Sequence, residues 1–446
     1  MEDSKHGDKD FTKEKKEKSL RSSFLDGIYA SCMGGFVDAY LTPFILLLGA
    51  TAKHIGMLSA LPNFFASIIQ LKSADITEKV KSRKKIITKF VLIQALSLLP
   101  MAFMAICGIR KPFIFILFVV LYASFGAISY PPWASLMADH IEGNKRGSYF
   151  GWRNRTLGFI AVLATFTAGL ILHVMKKHNA YFGFALLFSS AFIFRMISWC
   201  FLGKMHEPYM EYKKEDYFTF FDFISRLRES NFAKFVIFVA MMNFSVNMAS
   251  PFFSVFMLRE LNFSYLLYTS ITVTATITII LLTRRWGRHA DNVGNMKIIK
   301  LTSRMIGFIP LLWIINHKPA FLFLAQMFSG FAWAGFGLCT SNFIYDAVTP
   351  AKRTRCIAYF NLLNGLALCA GALLGGFILK RLPFLFGYKI LSLFLISSLL
   401  RIIVSMTMPA KLKEVRSVNK INSNKLFFSV IGIRPLLGME KRTPRY

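Results

Sequence analysis

The sequence predicts an all-α membrane protein of twelve transmembrane helices in two pseudo-symmetric six-helix bundles, and three observations carry that prediction. The 446 residues are 54% hydrophobic and 15% aromatic but only 17% charged, and the mean hydropathy is +0.48. A soluble chain carries about 25% charged residues, so this composition points to lipid as the solvent. Apolar stretches of about 20 residues, enough to cross roughly 30 Å of hydrocarbon, recur with short polar breaks along most of the chain. Finally, displacing the chain by 207 positions brings one segment of its first half onto its second.

Taken in order, the spans are expected at 24–48, 52–71, 86–108, 112–138, 149–173, 180–202, 232–257, 264–283, 296–316, 319–344, 356–380 and 384–408. These runs are continuously apolar and too long for the alternating strands of an outer-membrane barrel. Positive charge gathers in the N-terminal tail (Lys5, Lys9, Lys13, Lys15, Lys16, Lys18, Arg21) and in the loop after the second span (Lys72, Lys79, Lys81, Arg83, Lys84, Lys85, Lys89). Alternate loops hold little, such as Arg110 with Lys111 or Lys176 with Lys177. Cytoplasmic loops retain positive charge, so both termini are expected in the cytoplasm and the chain in the cell membrane. A formal charge of +31 would suggest nucleic acid on a soluble protein. Here it follows topology and the anionic inner leaflet, and no nucleic-acid partner is expected.

The first apolar run is long enough to span and lacks a small-residue cleavage pattern, so it is expected to stay as a helix. Six cysteines, mostly inside spans and never as C-x-x-C, read as packing residues. Residues 426–433 form a short apolar segment in a basic tail, suited to the inner leaflet or to solvent.

The internal repeat is gapless over one segment: Asp139, Arg146, Asn154, Gly158 and Gly169 fall on Asp346, Arg353, Asn361, Gly365 and Gly376, and Pro43 meets Pro251 one position further on. Duplication implies a charged cytoplasmic tail at 1–23, bundles at 24–202 and 232–408, a charged cytoplasmic loop at 203–231 and a basic tail at 409–446. Many secondary transporters are built from two such halves, with the solute at mid-membrane between them and access alternating by rocking.

The stretch after span eight carries Gly287, Asp291 and Gly294 in the pattern G-x-x-x-D-x-x-G, followed by Lys297. Together with twelve spans and the repeat, this resembles the Major Facilitator Superfamily over residues 24–408. The first-half copy keeps Asp75, loses the first glycine and carries its basic run, Arg83-Lys84-Lys85, later than the pattern expects. Trp133 to Asp139, followed by Arg146 to Gly151, resembles a prokaryotic branch of the superfamily. The resemblance implies a monomeric secondary transporter of a small solute, driven by a proton or cation gradient. It also implies reciprocal cytoplasmic latches: Asp75 facing the start of span eleven near Arg353 and Arg355, and Asp291 facing the start of span five near Arg146 and Arg153. Asp139 and Asp346 join this set as gate candidates.

Charge inside a span is costly, roughly 2.5–3.5 kcal/mol at the centre, and is kept for a reason. Asp38 lies well inside span one; a carboxylate there either binds a cation or exchanges a proton, or serves as a structural hydrogen-bond acceptor. Arg195 and Arg401 occupy nearly corresponding places in spans six and twelve, which the resemblance makes peripheral; snorkelling or a structural ion pair is expected. The resemblance lines the cavity with spans one, four, seven and ten. Asn243 and Asn247, four apart on one helix face, are candidate liners with Asn63, Trp133, Trp333 and Asn342, each also compatible with simple packing. Pro43, Pro131, Pro132 and Pro251 are expected to kink their helices. Small residues in spans five (Ala161, Thr165, Gly169) and eleven (Ala367, Gly371, Gly375) permit close packing or sliding between the bundles.

No G-x-x-x-x-G-K-[ST] loop occurs, so any pumping uses an ion gradient. His206-Glu207 begins like H-E-x-x-H, but Met210 stands at the fifth position, so no metal is expected. Neither a G-x-S-x-G nucleophile nor a cofactor fingerprint is present, and the chain reads as a carrier and not an enzyme. The competing readings are a superfamily-like lipid scramblase, receptor or assembly partner, motivated by the degenerate first copy of the loop. Aromatic-rich spans favour export of a hydrophobic or amphipathic compound, and uptake of a sugar or acid stays open as the alternative.

Overall fold

The computed structural model describes residues 2–141, 146–176, 178–208, 230–348 and 350–415; the C-terminal segment and most of the central loop lie outside these ranges. Among the described residues all regular secondary structure is helical. Spans two, four, five, six, eight, nine, ten, eleven and twelve are the helices Ala52–Val80, Pro112–His140, Arg146–Met175, Ala180–Gly203, Tyr265–Val293, Asn295–Ile315, Pro319–Ala347, Pro350–Ile378 and Lys389–Thr407. The others are interrupted. Span one runs Glu2–Val37 and Leu41–Leu47, span three Arg83–Leu96 and Leu98–Ile106, and span seven Asn231–Asn247, Ser250–Val255 and a π turn at Phe256–Glu260.

Eleven of these segments are long and apolar enough to cross a membrane. The exception is span two, where Lys53, His54, Asn63, Gln70 and Lys72 dilute the apolar run. Several helices outlast the apolar stretch that announced them. A helix of 29 residues is about 43 Å long, so its ends stand clear of the hydrocarbon, and hydropathy marks only the buried part. Consequently Gly287 and Asp291, expected in a loop, sit on the last turns of Tyr265–Val293, and Asp75 sits inside Ala52–Val80. Only Gly294 makes the turn, at φ 84°, a conformation that favours glycine.

Proline explains the interruptions. It has no N–H for the carbonyl four residues back, and in lipid that carbonyl needs a donor from elsewhere in the protein. Pro43 releases Ala39 O, which accepts Tyr268 Oη of span eight at 2.9 Å. Pro132 releases Ile128 O, which accepts Ser73 Oγ of span two at 2.8 Å. Pro310 releases Ile306 O, which accepts Arg401 Nη1 at 3.4 Å. Spans one and seven break just before Pro43 and Pro251, whereas span four stays one helix through Pro131 and Pro132. Beyond its break, span one is anchored by the ring of Phe44, whose centroid lies 4.9, 5.0 and 5.2 Å from those of Phe115, Phe184 and Phe188.

The same partnerships recur in both halves. Span two packs on four as eight packs on ten, three on six as nine on twelve, and one on five as seven on eleven. The two largest contacts between the halves are span two with eleven and span five with eight, and the outer end of span seven adds smaller ones with spans one and two. The repeated glycines lie at these two seams. A Cβ on Gly169 would sit 2.9 Å from Thr269 Cβ, and one on Gly158 3.0 Å from Ile280 Cδ1. Across the other seam, a Cβ on Gly376 would sit 2.8 Å from Ala52 O, and one on Gly365 would strike Ser67. Ala161, Thr165, Gly371 and Gly375 instead serve contacts within a half, against Gly35 and against the backbone of Phe244 and Met248. Gly376→Ala is therefore expected to cost about 1–3 kcal/mol by overpacking, while Gly337→Ala, with open space around it, is neutral or slightly stabilising. Equal thermal shifts for the two variants in detergent would show that the seam is absent.

Candidate functional site

A cavity of about 560 Å³ runs along the inner face of span one from Asp26 to Asp38. Spans three to six complete its walls, and span eight of the other half contributes Thr272, Val273 and Thr276. Asp38 is exposed and borders the cavity, and Tyr122 Oη donates to its Oδ1 at 3.3 Å. The residue stands where span one breaks, and its two neighbours face elsewhere. Ala39 O accepts Tyr268, as above. Tyr40 Oη donates to Thr165 O at 2.5 Å and accepts from Thr269 Oγ1 at 2.9 Å. Farther along, Arg259 Nη2 donates to Ala50 O at 3.2 Å, and the ring of Tyr265 lies 5.8 Å from that of Phe184. These contacts hold the halves together on the face opposite the chain termini.

Nearer the termini the cavity meets three charges, Asp26, Arg153 and Arg195, of which sequence reasoning passed over Asp26. Asp26 is 5% exposed; it accepts Ser198 Oγ at 2.6 Å and lies 3.9 Å from Arg195 Nη1. Arg195 also donates to Ser198 Oγ and to Gln94 Oε1, each at 2.9 Å. Arg153 lies against Gly27, donates to Ser23 O at 3.1 Å and places its guanidinium 4.6 Å from the Trp133 ring centre. Arg153 Nε, Trp133 Nε1 and Tyr149 Oη are buried without an acceptor or donor among the described residues.

The second half diverges at the matching place. Arg401 is 2% exposed and forms no ion pair among the described residues. Its partners are Ile306 O, Ser397 Oγ at 3.1 Å and Val246 O at 3.2 Å, the last beside the break of span seven. Snorkelling fits neither arginine, since both are buried inside the bundle. The expected ion pair has a counterpart for Arg195 only.

At the terminus-proximal face each half carries a clamp on the helix that follows its first helical pair. Glu207 accepts the Arg83 backbone N–H and the Ser82 hydroxyl, both at 2.6 Å, and Arg83 reaches Asp139 at 2.7 Å. In the second half Glu414 accepts the Met296 N–H at 2.7 Å, and Asn295 Nδ2 donates to Asp346 at 2.8 Å. Helix N-termini favour such carboxylates. Glu207 and Glu414 are themselves 207 positions apart, so the repeat extends beyond the spans. Asp139 and Asp346, expected at a gate, are thus bonded inside their own halves.

Of the expected liners, Asp38 and Trp133 border the cavity. Asn243 Nδ2 donates to Asn364 Oδ1 at 2.7 Å, and Asn247 Nδ2 to Leu368 O at 2.7 Å and to Ser59 Oγ at 3.3 Å, so Asn247 ties span seven to spans eleven and two. Asn63 turns back on its own helix to Ser59 O at 2.7 Å, and Trp333 packs edge-on against Phe336. Asn342 is half-buried. Among the described residues neither span seven nor span ten lines this cavity; the side-chain amides of span seven are spent on its helical neighbours. Asp291 is exposed, and Gly287 has only Leu338 nearby. The side chains of Asp75, Arg146, Arg353 and Arg355 lie outside the described ones, and with them the first latch and the Arg146 part of the second; Arg153, also expected there, is bonded to Ser23 O and stacked on Trp133 inside its own half.

Two six-helix halves packed together, held on one face, and lining a largely apolar cavity that carries Asp26, Asp38, Arg153 and Arg195 define a helical membrane carrier. Residues 24–315 and 235–439 match the profile of the Major Facilitator Superfamily, and the chain belongs to that family. It is accordingly an integral multi-pass membrane protein and a transporter, not an enzyme. Similar solved structures include a point mutant of the nucleoside transporter NupG, at 15% identity and TM-score 0.70, covering 88% of this chain and 100% of that one. The D-xylose–proton symporter follows at 12% identity and TM-score 0.68, with 90% and 98% covered. A bacterial homologue of the human lysosomal transporter Spinster, inward-facing and unoccupied, gives 14% identity and TM-score 0.63, with 88% and 98% covered. At these identities the likeness is one of fold. No curated protein sequence matches the chain.

If Asp26 compensates Arg195, Asp26→Asn leaves a buried guanidinium without its counter-charge and is expected to cost about 3 kcal/mol. Adding Arg195→Gln should recover much of that loss. A double variant whose thermal destabilisation equals the sum of the single ones would show that the two groups do not interact.

Proposed function

We propose that this protein is a proton-coupled secondary transporter that moves a small amphipathic solute by rocking of its two halves, in the outward direction. The observation that carries the reading is the placement of Asp38: a carboxyl group open to the cavity, one residue from a carbonyl and two from a hydroxyl that hold the opposite face shut. Taking up or releasing a proton at Asp38 changes the charge beside that seal, and a charge change favours whichever arrangement solvates it better. The wall near Trp133 and Tyr130 offers aromatic faces, and Arg153 adds a cation, which suits a solute with a flat apolar body and an acceptor group. With the opposite face held shut by spans seven and eight, and with the termini taken as cytoplasmic from the charge bias of the loops, loading is assigned to the cytoplasmic side, which supports export. The prediction is that Asp38→Asn, reconstituted in liposomes, abolishes pH-gradient-driven transport while solute exchange continues. Driven transport at the wild-type rate would refute the role of Asp38, and equilibration of lipid in place of solute accumulation would favour a scramblase.

A further inference from the structure

A second hollow, of about 460 Å³, opens on the face opposite the termini. Both halves wall it: Ala52 and Ile55 of span two face Phe252 and Val255 of span seven. Three cations from separate segments converge there, Arg259 at the end of span seven, Lys380 after span eleven and Lys389 at the start of span twelve. The one acid in the walls, Glu260, is exposed and forms no ion pair with them among the described residues. The charges are held by other means. Lys389 Nζ donates to Lys380 O at 3.1 Å and lies 5.0 Å from the Phe384 ring centre, while Arg259 uses one nitrogen on Ala50 O.

The backbone around this hollow is irregular in two places. Arg259 rides on the π turn, closed by Leu261 N donating to Phe256 O at 2.9 Å, and π turns are frequent at functional sites. Phe386 and Gly387 both take positive φ, 48° and 86°, in a tight turn that pairs Leu385 with Tyr388 and delivers Lys389 to the rim. A phenylalanine rarely adopts that conformation. Other cations of this face, such as Arg110, Lys111 and Lys176, lie in loops away from the hollow, whereas Arg259, Lys380 and Lys389 border it together from three separate segments. Like charges converging on a cleft between low-dielectric walls focus a positive potential and raise the local concentration of anions.

We propose that this hollow binds a phosphate-bearing anion, gripped by Arg259, Lys380 and Lys389. The guanidinium presents a planar fork matched to two phosphate oxygens, and the ammonium groups add point charges from the other side. The phosphate belongs either to a free anion in the medium or to the headgroup of an anionic phospholipid, whose chains would lie on the exposed rings of Phe377, Phe384 and Phe386. The site is separate from the cavity of Asp38 and does not depend on what that cavity carries.

The test measures the thermal unfolding midpoint of the full-length protein in neutral detergent. Inorganic phosphate and short-chain phosphatidylglycerol are titrated separately, with phosphatidylcholine as the neutral control. A saturating anion should raise the wild-type midpoint by about 2 °C or more, and Lys380→Gln with Lys389→Gln should weaken its apparent affinity at least about tenfold, a change that Lys380→Arg with Lys389→Arg should not produce. A response to phosphate alone identifies a free anion, and one to phosphatidylglycerol alone a headgroup. Should the glutamine pair not fold, Lys380→Gln alone gives the same comparison. No shift of the wild type with either anion, or an equal affinity in the glutamine variants, overturns the site.

Discussion

A helix that breaks inside a bilayer leaves carbonyls that no water can reach, and this fold depends on where those carbonyls find their donors. In span one the carbonyl of Ala39, freed at the break, is satisfied from the other half of the molecule by Tyr268 of span eight, and beside it the Tyr40 hydroxyl accepts from Thr269 of the same span. Proline at position 43 makes the donor necessary, and the donor makes the contact between halves specific. Each such bond contributes modestly, on the order of 0.6 kcal/mol in membrane proteins. The seal built from them is therefore strong enough to define an arrangement and weak enough to open.

The glycines at 158, 169, 365 and 376 give that opening its mechanics. They place backbone against neighbouring helices at both seams, so the halves meet over small, smooth surfaces. The clamps of Glu207 and Glu414 work in the other sense, stiffening each half at its terminus-proximal end. A molecule with rigid halves and thin seams concentrates its freedom at the seams, which is where a change of access must occur.

Duplication left the halves similar in frame and different in chemistry. Arg195 and Arg401 occupy matching helices, yet the first meets a carboxylate through Ser198, while the second, among the described residues, meets carbonyls and a hydroxyl. The polar lining of the cavity follows the same division, with Asp26, Asp38, Arg153 and Arg195 all in the first half. One half thus carries the ionisable chemistry, while span eight of the other supplies hydroxyls and the closing contact.

Much of this was legible in the sequence, for identifiable reasons. Length and hydropathy gave the spans, because bilayer thickness sets a scale the chain must match. Polar and glycine identities gave the repeat, because a membrane interior tolerates few of either without cause. Asp38 stood out as the lone carboxylate deep in an apolar run. Asp26 did not, since it sits at the edge of that run and the helix beginning at Glu2 carries it inward. Arg83 and Glu207 read as loop charges because their bond spans a sequence separation of 124. Tyr268 and Tyr40 were lost among many aromatic residues, as nothing in a sequence shows which hydroxyl meets a proline-freed carbonyl. Asn243, Asn247, Trp333 and Asn342 were placed around the cavity by the pattern of their spans, whereas the wall is set by how those spans rotate and what they bond.

The most direct measurement is a pair of electron–electron distances on the protein in liposomes, one on each face, at positions related by the repeat. Spin labels at Lys204→Cys and Lys411→Cys report the terminus-proximal face, and labels at Lys111→Cys and Lys318→Cys report the opposite one; all four positions are exposed. Two pivoting halves require two populations on each face, with the first distance shortening as the second lengthens when the pH is changed. A single distance on both faces, unmoved by pH, would contradict the pivot and the account built on it.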